Sequence, residues 1–258
     1  MKSVSCCYAL AIALVLALAS MGLFAADPTP TGNLDSPGAA AANLQLGISY
    51  IQQGNLSLAR EKIDKALKQD PKNADARTAA AMLEERLGNL RKAEEQHRAA
   101  IRLAPGRPEL SNNYAVYLCR TGQYKQGVKL LLAVAANKLY PTPHTAYTNA
   151  GVCARADKQI DVAAGYFRRA LQERPNHAEA VVQLVDLEVG RGRLAEARAE
   201  VDRYLSTFIA DPDVLLSCVQ VARAQADKIA EERCGRRLRT DFAGSSAERR
   251  LQAMSPRR

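Results

Sequence analysis

The stretch from Ala40 to Asn73, AAANLQLGISYIQQGNLSLAREKIDKALKQDPKN, decides the fold of this protein. Its key residues, at positions 7, 8, 11, 15, 20, 24, 27 and 32, are Leu46, Gly47, Tyr50, Gly54, Ala59, Ile63, Ala66 and Pro71. Small residues at positions 8, 20 and 27 let two helices approach closely, and larger ones at 7, 11 and 24 fill the space around the crossing. The glycine permits the turn that ends the first helix, and the proline cannot continue the second. The stretch therefore predicts a helix–turn–helix unit.

The same pattern recurs along the chain at a 34-residue spacing, which is the period of the tetratricopeptide repeat (TPR). The predicted units are 40–73, 74–107, 108–143, 144–177, 178–211 and a degenerate sixth at 212–244. In the third unit Gly127 replaces the alanine at position 20, and the closing segment NKLYPTP is about two residues longer than usual. We predict an all-α TPR superhelix, an α-solenoid of about six repeats, with the first helix of each unit lining a concave groove.

The two ends of the chain fall outside this repeat array. Residues 1–25 have the pattern of a signal peptide, with Lys2 before the apolar run Tyr8–Phe24 and small residues at the expected cleavage point near Ala25. If cleavage fails, the same segment is a membrane anchor. Residues 26–39 are rich in proline and glycine and predict a flexible linker. Export to the periplasm follows from this interpretation.

Charge is unevenly distributed. The chain has 36 Lys and Arg against 27 Asp and Glu, a net charge of +9. Residues 245–258 form the most basic stretch, which predicts a frayed, solvated tail or a contact with anionic lipid or cell-wall polymer. Because the N-terminus predicts export, we expect no nucleic-acid partner.

Four cysteines lie within the repeats. Cys119 and Cys153 stand on neighbouring first helices, within possible reach of a disulfide, and two small buried thiols are the alternative. Cys218 and Cys234 stand on facing helices of the sixth unit and are a second candidate pair. No CxxC motif or histidine cluster accompanies them, so we expect no metal.

The sequence offers no candidate for catalysis. His97 occupies position 24, a packing site, and predicts a partly buried structural histidine, while His144 and His177 fall at unit boundaries. No nucleophile–base set, Walker loop or HExxH motif is present. We therefore expect a non-catalytic protein that uses no cofactor.

Four residues on the first helices of units three and four are the predicted protein-binding site. Asn112, Asn113, Val116 and Asn149 are expected to face the groove, where an amide side chain can hydrogen-bond a peptide backbone. The alternative for Asn113 and Asn149, both at position 6, is a hydrogen bond between helices within the scaffold.

Several segments resemble the PilF/PilW family, TPR proteins of type IV pilus biogenesis. They are LGISYIQQGNLSLAREKIDKALKQDPKNADA, LAPGRPELSNNYAVYLCRTGQY and LYPTPHTAYTNAGVCARADKQIDVAAGYFRRAL. The resemblance implies a pilotin or pilus-stability factor that helps the secretin, the outer-membrane pore of the pilus, reach the membrane and form its multimer. It also implies a structural disulfide between Cys119 and Cys153.

One feature departs from that family. Pilotins carry a lipidated cysteine after the signal segment, whereas the early cysteines here, Cys6 and Cys7, precede the apolar run. We therefore expect a soluble periplasmic monomer or an anchored protein, with possible outer-membrane association and the secretin as its protein partner. The alternatives are a periplasmic TPR adaptor for another cell-envelope machine and an accessory domain of a cell-wall enzyme.

Overall fold

A computed structural model describes residues 37–254, and these form thirteen helices and no strand, which confirms the predicted all-α solenoid. The helices are α1 Pro37–Gln52, α2 Leu56–Gln69, α3 Ala74–Arg86, α4 Leu90–Leu103, α5 Pro108–Arg120, α6 Tyr124–Ala135, α7 Pro143–Ala156, α8 Ile160–Glu173, α9 Ala178–Gly190, α10 Leu194–Thr207, α11 Pro212–Ala224, α12 Lys228–Asp241 and α13 Ser246–Ala253. The predicted signal peptide, most of the predicted linker and residues 255–258 lie outside the described residues.

The first twelve helices form six antiparallel pairs that coincide with the six predicted units. We call the first helix of each pair the A helix (α1, α3, α5, α7, α9, α11) and the second the B helix (α2, α4, α6, α8, α10, α12). The boundaries differ from the prediction at two prolines. Pro37 begins α1 inside the predicted linker, and Pro143 begins α7 one residue early. Proline is favoured in the first turn of a helix because its missing N–H is not needed there.

Close crossing of the two helices explains the small residues at position 8. A methyl group built on Gly47 would lie 2.6 Å from the side chain of Ile63, and one on Gly151 would lie 2.4 Å from the ring of Phe167. Both distances are far below van der Waals contact, so in these two units glycine is the residue that fits against the large side chain at position 24. These interlocked pairs form the core of units one and four.

The array curves because its two layers pack differently. Successive A helices touch one another along most of the array, as α1 does α3, α5 does α7, and α9 does α11. Within the described part of the chain, no successive B helices are packed in this way. The A helices therefore lie on the inner, concave side and the B helices on the outer, convex side.

The turn between A and B helices requires a left-handed residue at position 15. Glycine supplies it in four units, for example at Gly54 with φ of +77°. Lys158 and Ala226 occupy the same position in units four and six, with φ of +62° and +57°. A side chain in this conformation is strained, so these two turns depend on the surrounding helices.

Buried carboxylates join neighbouring units at position 11. Glu84 on α3 accepts from Arg60 of the preceding unit at 2.9 Å, and Glu188 on α9 accepts from Arg168 at 2.6 Å. Glu188 is only 1% exposed. A carboxylate buried this deeply must be paired. These ion pairs fix the relative rotation of adjacent units.

The predicted frayed tail is wrong for residues 246–253, which form α13 and pack against α11 and α12. Ala247 and Leu251 are buried, and Ser245 caps the helix by accepting from the Glu248 amide at 3.1 Å. The array is therefore covered at its C-terminal end by α13.

Candidate protein-binding groove

An apolar stripe runs along the inner face of units one to four. Position 9 of the successive A helices holds Ile48, Met82, Val116 and Val152. Met82 and Val152 are 39% and 36% exposed, and the other two are half-buried. Exposed apolar side chains aligned on consecutive helices mark an interaction surface. The predicted residue Val116 belongs to this stripe.

The three predicted asparagines lie in different environments. The Asn149 side chain donates to the Asn112 side-chain oxygen at 3.1 Å, which joins α7 to α5, and Asn112 is buried. Asn113 is exposed, and no hydrogen bond to its side chain is found within residues 37–254. The helix-joining bond that was the alternative for Asn113 and Asn149 is thus made by Asn112 and Asn149. A partner-binding role for the asparagines stays a prediction, and Asn113 is the one best placed for it.

The groove changes character after unit four. At position 9 of unit five the apolar stripe ends at Asp186. Asp186 is exposed, yet the surrounding groove desolvates its carboxyl and raises its pKa, while Arg155 and Arg250 act in the opposite direction. Arg250 reaches in from α13 and also pairs with Asp213. The groove therefore presents an apolar N-terminal part and a charged C-terminal part.

Cys119 and Cys153 lie at disulfide distance and link the A helices of units three and four. Their sulfurs are 1.97 Å apart and their Cα atoms 5.3 Å apart. A methyl group on Gly127 would lie 2.4 Å from the Cys119 sulfur. This explains the glycine that replaces alanine at position 20, a signal visible in the sequence whose cause lies in the packing. The link holds α5 and α7, the helices that carry the asparagines, in fixed relation.

The second predicted pair, Cys218 and Cys234, joins the two helices of unit six, with Cα atoms 6.1 Å apart. Both residues are buried. This pair lies in the unit that α13 covers. It therefore secures the C-terminal end of the array and lies away from the apolar part of the groove.

The surroundings of the three histidines indicate structural roles. His97 is 2% exposed and packs against the rings of Tyr114 and Tyr117, and burial lowers its pKa to about 4. His144 and His177, which fall at unit boundaries in the sequence, meet at the joint between units four and five with ring centroids 4.7 Å apart. Burial lowers the pKa of both. Their 33-residue spacing, one residue less than the repeat, is the signal that could have predicted this contact.

No group of three metal-ligating side chains occurs within residues 37–254. Nor is any helix in this region long and apolar enough to cross a membrane. The groove with its apolar stripe is the feature in this region that best fits a functional site.

Comparison with known proteins identifies the repeat. Tetratricopeptide repeat family models match residues 44–108 and 115–178, and a further one matches 154–215. The chain belongs to the tetratricopeptide repeat family. This TPR protein is 26% identical to the type IV pilus assembly protein PilF of Pseudomonas aeruginosa over 212 residues, covering 82% of this chain and 84% of PilF. It is also 28% identical to an uncharacterized protein of Haemophilus influenzae over 131 residues, 50% of this chain and 73% of that protein.

Two solved structures of pilus proteins are similar to this TPR protein. The P. aeruginosa PilF structure matches with a TM-score of 0.60 and 26% identity, covering 84% of this chain and 98% of PilF. The structure of PilW, described as a widely conserved type IV pilus biogenesis factor, matches with a TM-score of 0.62 and 27% identity, covering 83% and 98%. The chain is therefore a PilF/PilW-like TPR protein.

Proposed function

We propose that this protein is a non-catalytic scaffold in type IV pilus biogenesis that helps the outer-membrane secretin to localise or to form its multimer. The observation that carries the proposal is the match to both PilF and PilW over 98% of each solved chain. TPR folds bind proteins, so binding of a protein partner is the general part of this proposal and the secretin as that partner is the specific part.

The inner groove is the proposed binding surface. Its apolar stripe can bury an apolar segment of the partner, which supplies affinity in proportion to the area removed from water. The exposed Asn113 amide lies beside the stripe on α5 and can fix the partner backbone by hydrogen bonds. The link between Cys119 and Cys153 holds this part of the groove rigid, which lowers the entropy cost of binding.

A deletion strain tests the pilus function. We expect loss of surface pili and of the secretin multimer in membrane extracts, with both restored by the gene in trans. Normal pili and normal multimers in the deletion strain would refute the proposal.

Groove variants then test the proposed surface. In the complemented strain, Met82→Asp with Val152→Asp should abolish secretin multimers, because two carboxylates would be buried under the partner. The matched control is Leu103→Asp with Val162→Asp, which places the same charges at equally exposed apolar residues on B helices. If the two double variants behave alike, the groove is not the binding surface.

We further propose that the protein is exported and acts in the periplasm, either free or held by its N-terminal segment. The predicted signal peptide supports this, together with the cysteine pairs at disulfide distance, which form durable bonds in an oxidising compartment. Cell fractionation with a palmitate-analogue label is the test. A cytoplasmic protein would refute export, and a lipid-labelled protein would refute the unlipidated form.

A further inference from the structure

Charge is segregated between the two layers of the solenoid. The six A helices carry five Lys and Arg against eight Asp and Glu, a net charge of −3. The six B helices carry 19 Lys and Arg against 12 Asp and Glu, a net charge of +7. The basic character of the helical array therefore lies on its convex outer side, away from the groove.

The outer charge is concentrated on the first three units. Helices α2, α4 and α6 together hold ten Lys and Arg and four Asp and Glu, whereas α8, α10 and α12 together hold nine Lys and Arg and eight Asp and Glu. We call the exposed surface of α2, α4 and α6 the basic outer face. It is made by three consecutive helices of one layer, so its charges add to one field.

Many cations of this face lack an acidic partner. Five exposed side chains have no carboxylate oxygen within 4.0 Å among residues 37–254: Lys68, Lys92, Arg102, Lys125 and Lys129. The acids of the face are mostly engaged, since Glu61 pairs with Lys62 and Lys65, Glu94 with Arg98, and Glu95 with Arg91. Asp64 is the remaining acid. The unpaired cations are therefore available to an anionic surface.

We propose that the basic outer face docks this protein on a bilayer that contains anionic phospholipid. Four of the five unpaired cations are lysines, whose compact ammonium groups on flexible stems suit a field of mobile headgroups. The face is broad and belongs to the outer layer, so docking there leaves the inner groove open. This inference does not depend on the pilus function proposed above.

The position of the face in the chain favours a membrane over an acidic protein. The apolar run of the predicted signal peptide ends at Phe24, thirteen residues before α1, and such a length spans at most about 45 Å. During export the first units therefore lie close to the bilayer that holds that segment. The basic outer face belongs to the three units nearest to it.

Vesicle flotation tests the proposal, with a chain that begins at Asp27 so that the apolar segment is absent. All core residues of the array lie within Ala40–Leu251, so this chain retains the complete fold. The probes are vesicles of phosphatidylcholine alone and of phosphatidylcholine with phosphatidylglycerol. We expect binding only to the second kind, and we expect it to weaken as salt is added because exposed charges are screened.

Charge reversal at matched positions separates the face from the overall charge. Lys92→Glu, Arg102→Glu and Lys125→Glu change three unpaired cations of the face, and Arg233→Glu, Arg236→Glu and Arg237→Glu make the same change in net charge on α12. The first set should weaken vesicle binding by more than about tenfold, given the attraction of each basic side chain to an anionic surface. The second set should change it by less than about threefold. Circular dichroism checks that both sets remain folded.

Three results would overturn the proposal. Equal loss in both triple variants would show that net charge, rather than this face, drives binding. Absence of binding to the anionic vesicles would refute membrane docking directly. Binding to polyglutamate with no binding to vesicles would assign the face to an acidic protein partner.

Discussion

Gly127 provides a sharp test of how the link between Cys119 and Cys153 shapes unit three. In four of the other units position 20 is an alanine that is fully buried, as at Ala93 and Ala163. In unit three an added methyl group would lie 2.4 Å from the Cys119 sulfur and 3.0 Å from the Ala115 carbonyl oxygen. A sulfur held in a disulfide cannot rotate away. Gly127→Ala should therefore destabilise the protein although alanine is the better helix former.

The expected magnitude combines two opposing effects. Overpacking a tight core costs about 1–3 kcal/mol, and replacing a helical glycine by alanine returns about 1 kcal/mol. With the link intact, Gly127→Ala should cost up to about 2 kcal/mol net, which lowers the melting temperature by up to about 8 °C in a chain of this size. In a background of Cys119→Ala and Cys153→Ala the sulfur is gone. There the same change should be neutral or stabilising by up to about 1 kcal/mol.

Urea unfolding followed by circular dichroism measures all four proteins of this double-mutant cycle under oxidising conditions. Comparing the parent with the Cys119→Ala, Cys153→Ala variant also measures the link itself. Losing a link that closes a loop of 34 residues should cost about 4 kcal/mol of stability in the chain-entropy account. The control is Gly165→Ala on α8, where an added methyl group meets nothing within 4 Å. It should stabilise both backgrounds by about 0.5–1 kcal/mol.

The cycle has a clear negative outcome. If Gly127→Ala costs the same with and without the two cysteines, the sulfur does not determine the residue at position 20. The Ala115 carbonyl would then be the relevant obstacle. A coupling free energy above about 1 kcal/mol supports the steric argument.

Three further predictions concern stability. Lys158→Gly should raise the free energy of unfolding by about 0.5–1 kcal/mol, because glycine adopts the left-handed backbone conformation of this position without strain. Gly122→Ala at the same position of unit three should lower the free energy of unfolding, and equal effects of the two variants in urea melts would contradict this reasoning. The lowered pKa of His97 means that the unfolded chain binds the proton first as the pH falls, so the contribution of neutral His97 to the free energy of unfolding is complete above about pH 6.5 and is lost towards pH 4. His97→Phe should remove about 3 kcal/mol of this pH dependence, and a variant whose melts change with pH as the parent's do would count against it. Arg168→Met leaves Glu188 buried without its closest partner and should cost about 2–3 kcal/mol of stability, whereas Arg168→Met with Glu188→Leu should be close to neutral. A double variant as unstable as the single one would show that the loss does not come from an unpaired buried carboxylate.

The helical units were predictable because their signal is local and repeated. Glycine or alanine at positions 8, 20 and 27 reports the closeness of two helices that are adjacent in the chain, and a left-handed glycine reports the turn between them. The candidate groove was predictable only in part. Val116 and Asn113 are accessible on the inner face, but nothing in the sequence distinguishes Asn112, which is buried, from its neighbour Asn113.

The sequence alone determined the repeat and the approximate bounds of its six units, and it offered the two cysteine pairs as candidates. Each of these depends on spacing within one unit or between units of fixed length. The tertiary structure alone decided that residues 246–253 form a helix, that Asn112 bonds Asn149, that Glu188 is buried among arginines and that the basic charge lies outside. The reason is physical. Burial and pairing depend on the rotation and separation of helices in different units, and the spacing of residues within one unit does not specify these.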